Sequence, residues 1–205
     1  MTICLKMLVN NRPKQIFRDH GGQLRMSEAI KNGISRYMLY KLRDKDVIEL
    51  ISRGVYRLKE LPPISNPDLV TVSLRFPNSV ICLISALAFH DITTQIPHSI
   101  SVAVPRSSRL PSLDYPPIQS HRFSNDAFNA GIENHRIDEV PVKIYNMEKT
   151  LVDCFKFRNK VGMDVVLEAL KLYKARRNFN LNKLIKYAKI CRVKNVMLPY
   201  LETII

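Results

Sequence analysis

The chain has 205 residues and 46% hydrophobic content, enough for one large domain or two small ones with true cores, which sets aside a disordered chain. It carries 32 Lys and Arg against 18 Asp and Glu, a formal net charge of +14, and has no apolar run of the roughly 18 residues that a membrane span requires. Such an excess of positive charge points to a partner with a polyanionic backbone, with anionic lipid as the competing attraction.

The spacing predicts an initial helix over about residues 4–19, with Pro13 near a break. Residues 16–58 carry the most informative pattern: the helical segments SEAIKNG and SRYMLYKLRDKD, joined by a glycine turn and followed by the β-hairpin VIELISRGVYRL. This is the sequence shape of a winged helix-turn-helix, which lays one helix in a DNA major groove. Ser27 is the expected N-cap of the first helix and Ser35 of the second, and Gly33 lies where the chain must turn sharply. Ile34, Met38, Leu39 and Leu42 fall on one side of the second helix and should pack against the first helix, Ile16 and Leu24.

The opposite side keeps Arg36, Tyr37, Tyr40, Arg43 and Asp44, with Lys41 at its margin. In the hairpin, Val47, Ile48, Leu50 and Ile51 lead into a turn at Ser52, Arg53 and Gly54, and Val55, Tyr56 and Leu58 return. The expected DNA-contacting set is therefore Ser35, Arg36, Tyr37, Tyr40, Lys41 and Arg43 from the helix, with Arg53 at the tip of the wing and Arg57 on its returning strand. An arginine held at such a tip can enter a minor groove or clamp a phosphate. A solvated basic surface is the competing explanation, but these charges coincide with the exposed sides of a helix-turn-helix and wing.

The proline-rich stretch KELPPISNPD breaks both helical and strand periodicity and reads as an interdomain linker. The expected organisation is a winged helix-turn-helix domain over residues 1–61, a linker over 62–67 and a mixed α/β C-terminal domain over 68–205, giving an α+β chain. Within the second domain, helices are expected over Pro67 to Arg75 and Ser79 to His90, and strands at SISVAVPR and IQSHRFS. IENHRIDEVPVKIYNM reads as a turn-linked strand pair bending near Glu139 to Pro141. Asn146 should cap a helix through TLVDCFKF, and further helices should cover about Asp164 to Arg176 and Leu181 to Ile190.

Charge is unevenly placed along these elements. Residues 1–60 hold 13 Lys and Arg against 6 Asp and Glu, residues 61–139 hold 5 against 7, and residues 140–200 hold 14 against 4. The last of these blocks places Lys171, Lys174, Arg176, Arg177, Lys183, Lys186 and Lys189 among apolar residues at helical spacing. Amphipathic helices with a basic outer face account for that pattern, as does a second nucleic-acid surface.

Signals for catalysis are weak. Ser85, His90 and Asp91 are the ingredients of a triad, yet Ser85 and His90 share an apolar helix and lack a strained GxSxG elbow. Asp138 and Glu139 are adjacent, so their side chains diverge, and their spacing to Lys143 does not fit a nuclease. Lys149 and Asp153 stand at i, i+4, the spacing of a surface ion pair. Cys4, Cys82, Cys154 and Cys191 are too scattered for a zinc site or a disulfide framework and read as buried free thiols. No phosphate-binding loop is present, and neither a metal nor a cofactor is expected. MTICLKMLVNNRPK has no long apolar core before a small-residue cleavage site, so a cytoplasmic chain is expected.

ICLISALAFHDITTQIPHSISVAVPR at 81–106 and VPVKIYNMEKTLVDCFKF at 140–157 resemble the C-terminal domain of the AbiEi-type antitoxins of bacterial abortive-infection systems, and RGVYRL at 53–58 resembles that family's wing. The resemblance spans most of residues 10–175 and implies a non-enzymatic transcriptional regulator with an N-terminal winged helix. It implies a repressor of its own operon, partnered by operator DNA and by a nucleotidyltransferase-like toxin that is counteracted without a stable complex. A homodimer, or cooperative binding on DNA, is left open. The strongly basic tail departs from the family's minimal pattern. A nucleic-acid-directed enzyme or effector, or an adaptor that binds the toxin directly, is the alternative.

Overall fold

The structure, a computed structural model, describes residues 12–204. Residues 4–11 of the expected first helix, with Cys4, lie outside the described residues. Residues 12–19 are helical (α1), and β1 (Gln23–Arg25), α2 (Met26–Lys31), α3 (Arg36–Asp44), β2 (Ile48–Ser52), β3 (Val55–Leu58) and α4 (Pro67–Arg75) follow. The remaining elements are β4 (Val80–Ile81), α5 (Leu83–Phe89), β5 (Ile100–Pro105), β6 (Ile118–Phe123), α6 (Asn125–Asn129), β7 (Ile132–Ile137), β8 (Val140–Tyr145), α7 (Met147–Lys156), α8 (Arg158–Val161), α9 (Met163–Lys174), α10 (Leu181–Ile190) and α11 (Lys194–Ile204). The fold is mixed α/β, as the sequence indicates.

By its internal contacts the chain divides into Met1–Pro77 with Arg136–Pro141, and Asn78–His135 with Val142–Ile205. The proline-rich segment 62–66 carries neither helix nor strand, and α4 packs on β1 and β3 within the first unit.

In the first unit, three short antiparallel strands are ordered β1-β3-β2. Two residues, Arg53 and Gly54, turn β2 into β3; Gly54 has φ +75°, and Ile51 bulges between the Leu50–Tyr56 and Ser52–Val55 pairs. Phe17, Leu24, Ala29, Ile34, Leu39, Ile48 and Leu58 form a common buried core, with Ile16 and Met38 packed at its margin. Each large side chain so buried contributes roughly 1.5–3 kcal/mol. Ser27 is not the cap of α2. The cap is Arg25, two residues earlier, where the backbone N–H of Arg25 donates to Glu28 Oε2 at 3.2 Å and the Arg25 guanidinium binds Glu28 Oε1 at 2.7 Å. That guanidinium holds the Glu28 pKa below its ordinary value.

In the second unit, five strands are ordered β6-β5-β4-β8-β7. The segment expected as one helix from Ser79 to His90 is instead a strand and a helix. Val80 and Ile81 pair with Ala103 and Val102 of β5, Ile81 also faces Ile144 of β8, and α5 starts only at Leu83. A continuous apolar run suits a buried strand as well as a buried helix, so its periodicity does not separate the two. The bend after β7 falls at Asp138 and Glu139, both with positive φ, one residue earlier than the spacing indicates. Asn146 caps α7 by accepting from Lys149 N–H at 2.9 Å, as expected.

Helix α7 is the centre of this unit. Every residue from Glu148 to Phe155 is buried, under α5, α9, α10 and α11. Lys149 and Asp153 are therefore no surface pair: both side chains are wholly buried, with Lys149 Nζ 2.5 Å from Asp153 Oδ2 and 4.1 Å from the centre of the Tyr145 ring. Their spacing is that of an exposed helix face, but α7 has none. Burial raises the Asp153 pKa against the opposing pull of Lys149.

Candidate nucleic-acid interface

Helix α3 is set by its two ends. Before it, Gly33 adopts φ +88°, which lets the chain close α2 with Ile34 N–H donating to Ala29 O at 2.9 Å. Ser35 then caps α3 by accepting from Met38 N–H at 3.2 Å. With Leu39 and Leu42 buried, the outer face must carry Arg36, Tyr37, Tyr40, Lys41 and Arg43, and all five are exposed. Tyr37 is 73% exposed and Tyr40 42%, too open for either ring to be a core residue.

The two tyrosines organise the cations beside them. Lys41 Nζ lies 5.8 Å from the centre of the Tyr37 ring and the Arg43 guanidinium 5.3 Å from that of Tyr40, both within reach of a cation–π attraction. Arg43 also pairs with Asp44 at 3.0 Å. Arg36, Lys41 and Arg53 have no carboxylate partner among the described residues. Elsewhere in the unit Lys14 and Arg18 bind Glu60 and Lys59 binds Asp46, whereas Arg12, Lys31 and Lys45 are exposed with no carboxylate partner among the described residues. Exposed positive charge thus marks the outer face of α3 and the tip of the wing.

Arg53 occupies that tip and is exposed; the guanidinium of Arg75 donates to its carbonyl at 2.6 Å and holds the turn against α4. The sequence gives no sign of this support, since Arg75 is 22 residues away. Arg57 is a correction. It was expected on the DNA-facing side of the wing but is only 4% exposed, because it belongs to the central strand β3. It binds Glu49 Oε1 at 3.3 Å and donates to the carbonyls of Leu61 and Pro62. The residue ties the wing to the segment that follows it.

In the second unit, Lys183, Lys186 and Lys189 recur every third residue along the exposed side of α10, and Lys171, Lys174, Arg176 and Arg177 are exposed on and after α9. Arg176 donates to the carbonyls of His90 and Asp91 at 3.0 and 2.7 Å, and Lys183 lies 3.7 Å from Glu148.

The residues considered for catalysis are placed otherwise. Ser85 Oγ donates to Ser99 O and accepts from Ser101 N–H, while His90 Nε2 lies 2.7 Å from Tyr145 O; burial lowers the His90 pKa. Asp138 accepts from both the N–H and the hydroxyl of Ser65, and Glu139 binds Arg136 at 2.6 Å. Among the described residues no cluster of three or more potential ligands could hold a metal, and no helix is long and apolar enough to cross a membrane. Cys82, Cys154 and Cys191 are buried free thiols.

A helix-turn-helix with a capped, cationic second helix and a two-stranded wing places the first unit in the winged-helix class of DNA-binding folds. Residues 11–59 match the family described as "Transcriptional regulator, AbiEi antitoxin", the family that the sequence resembles. The chain is also similar in fold to the crystal structure of the RV2827C protein from Mycobacterium tuberculosis, at 15% identity and a TM-score of 0.58, covering 92% of this chain and 75% of that one. No curated protein matches the chain.

Proposed function

We propose that this protein is a sequence-specific DNA-binding repressor that acts as the antitoxin of an abortive-infection operon. It binds an operator upstream of its own genes and counteracts a nucleotidyltransferase-like toxin without forming a stable complex with it. The observation that supports this reading is the exposure of Arg36, Lys41 and Arg53, which have no carboxylate partner among the described residues, on the outer face of α3 and at the wing tip, in a segment that matches a family of regulators. Arg36, Tyr37, Tyr40 and Arg43 face bases and phosphates, Ser35 offers its hydroxyl at the helix start, Lys41 supports the backbone contact, and Arg53 works from the wing.

The lysine row of α10, with the exposed cations of α9 and the segment after it, serves as a second phosphate-contacting surface, supported by its exposure and charge. A reporter driven by the protein's own promoter tests the repressor, and growth of cells expressing the adjacent toxin tests the antitoxin. Repression and restored growth are expected when the chain is supplied in trans. Unchanged reporter output would remove the repressor, and unrelieved growth arrest would remove the antitoxin.

A further inference from the structure

A pocket of about 320 Å³ opens in the first unit, away from the outer face of α3. That volume lies at the lower end of the range for small-molecule sites. One wall is apolar, from Leu74, Pro77, Val140 and Pro141. Another is polar, from Gln23 and Arg25, which stand two residues apart on β1 and so share a face.

These two residues carry unmet hydrogen-bonding capacity. Gln23 is 3% exposed; its amide nitrogen donates to Asp138 O at 3.2 Å, but its Oε1 is buried with no partner among the described residues. Arg25 gives one guanidinium nitrogen to Glu28, yet its Nε is likewise buried and unpartnered. A buried polar group left unpaired costs roughly 1–3 kcal/mol, so a molecule that supplies a donor to Gln23 and an acceptor to Arg25 recovers that cost.

Charge and shape narrow its class. Arg25 is neutralised by Glu28 and Arg136 by Glu139, which leaves Asp19 at the rim as an acid with no basic partner among the described residues. An anion is therefore disfavoured. The apolar lining from Leu74, Pro77, Val140 and Pro141 suits an uncharged ring, whose edge must offer an N–H to Gln23 Oε1 and a nitrogen or carbonyl acceptor to Arg25 Nε. Nucleobases have that edge. We propose that this pocket binds a nucleoside, its base edge on Gln23 and Arg25 and its ring against Pro77 and Pro141. Because Arg25 immediately precedes α2, the occupant touches the start of the helix-turn-helix.

The test is calorimetric titration of the full chain with adenosine, cytidine, guanosine and uridine, and with AMP and free amino acids as controls, in the absence of DNA. Saturable binding of at least one nucleoside is expected, with AMP at least tenfold weaker and no heat from amino acids. Q23L removes the acceptor, and S73F fills the cavity from α4. Each should weaken nucleoside binding at least tenfold while the chain still melts as one transition. Absence of binding by all four nucleosides would overturn the proposal, as would binding that survives unchanged in a folded Q23L or S73F. Since no DNA is present, the outcome is independent of the repressor reading.

Discussion

Arg53 and Arg57 stand four residues apart on one hairpin, yet Arg53 projects from the turn into solvent while Arg57 is buried against Glu49 and two backbone carbonyls. The difference separates binding from folding. Arg53→Ala should leave the thermal midpoint nearly unchanged, weaken binding to every duplex, and reduce the salt slope of binding by about 1. Arg57→Ala should destabilise the chain by about 1–3 kcal/mol, since it removes the packing of a buried side chain and leaves the carbonyls of Leu61 and Pro62 without their donor. Urea unfolding beside DNA titration checks both. Equal thermal midpoints for the two variants would contradict the assignment.

Arg36 sits in the first turn of α3, where a recognition helix enters the groove. Its replacement by alanine should cost about 1–3 kcal/mol on the preferred operator and flatten the difference among operator variants. Binding to a panel of single-base operator variants reads this directly. A uniform loss across the panel, like that expected for Arg53, would make Arg36 a phosphate contact.

Lys149 and Asp153 form an ion pair with no exposure on either side. Removing one partner strands the other, so Asp153→Ala should cost about 3–5 kcal/mol. The double variant Lys149→Met with Asp153→Leu should recover much of that loss, because neither charge then needs a partner. Denaturant unfolding of Lys149→Met, of Asp153→Leu and of the double variant gives the coupling, and additive losses would contradict it.

His121 gives the chain an acid limit. It is 4% exposed beside Phe157, and burial, assisted by the Lys160 charge, lowers its pKa to about 4. In the unfolded chain the ring titrates near its ordinary value of about 6.5. Between these values the unfolded state binds the extra proton, so stability is full above about pH 6.5 and is lost as pH falls toward 4, by at most about 3 kcal/mol. Thermal melts should show a smaller loss between pH 7 and pH 5 for His121→Phe than for the parent chain. Parallel pH profiles would mean that His121 does not contribute.

The helix-turn-helix was legible because its determinants are local: Ser35 caps α3, Gly33 takes a positive φ, and Leu39 and Leu42 mark the buried face. The bounds of α4 and α10 follow equally from nearby signals, a proline at the first helical position in one and the Asn180 cap in the other. What escaped depends on how the elements pack rather than on local periodicity. Arg57 reads as a wing cation until Glu49 and the carbonyls of residues 61 and 62 close over it. Lys149 and Asp153 read as a surface pair until four helices cover α7. Val80 and Ile81 become a strand only because β5 and β8 flank them. The pocket at Gln23 is of the same kind, since its apolar lining comes from Leu74 and Pro77 and from Val140 and Pro141, all remote from Gln23 in the chain.

The most direct test of the central claim is a salt series of binding by the full chain to DNA from its own upstream region and to a scrambled duplex of equal length. The expected result is tight binding of the native duplex that persists at moderate salt while the scrambled duplex is released, because base contacts survive where phosphate contacts alone do not. Equal and equally salt-sensitive binding to both would contradict the account, reducing the +14 charge to a general attraction for polyanions.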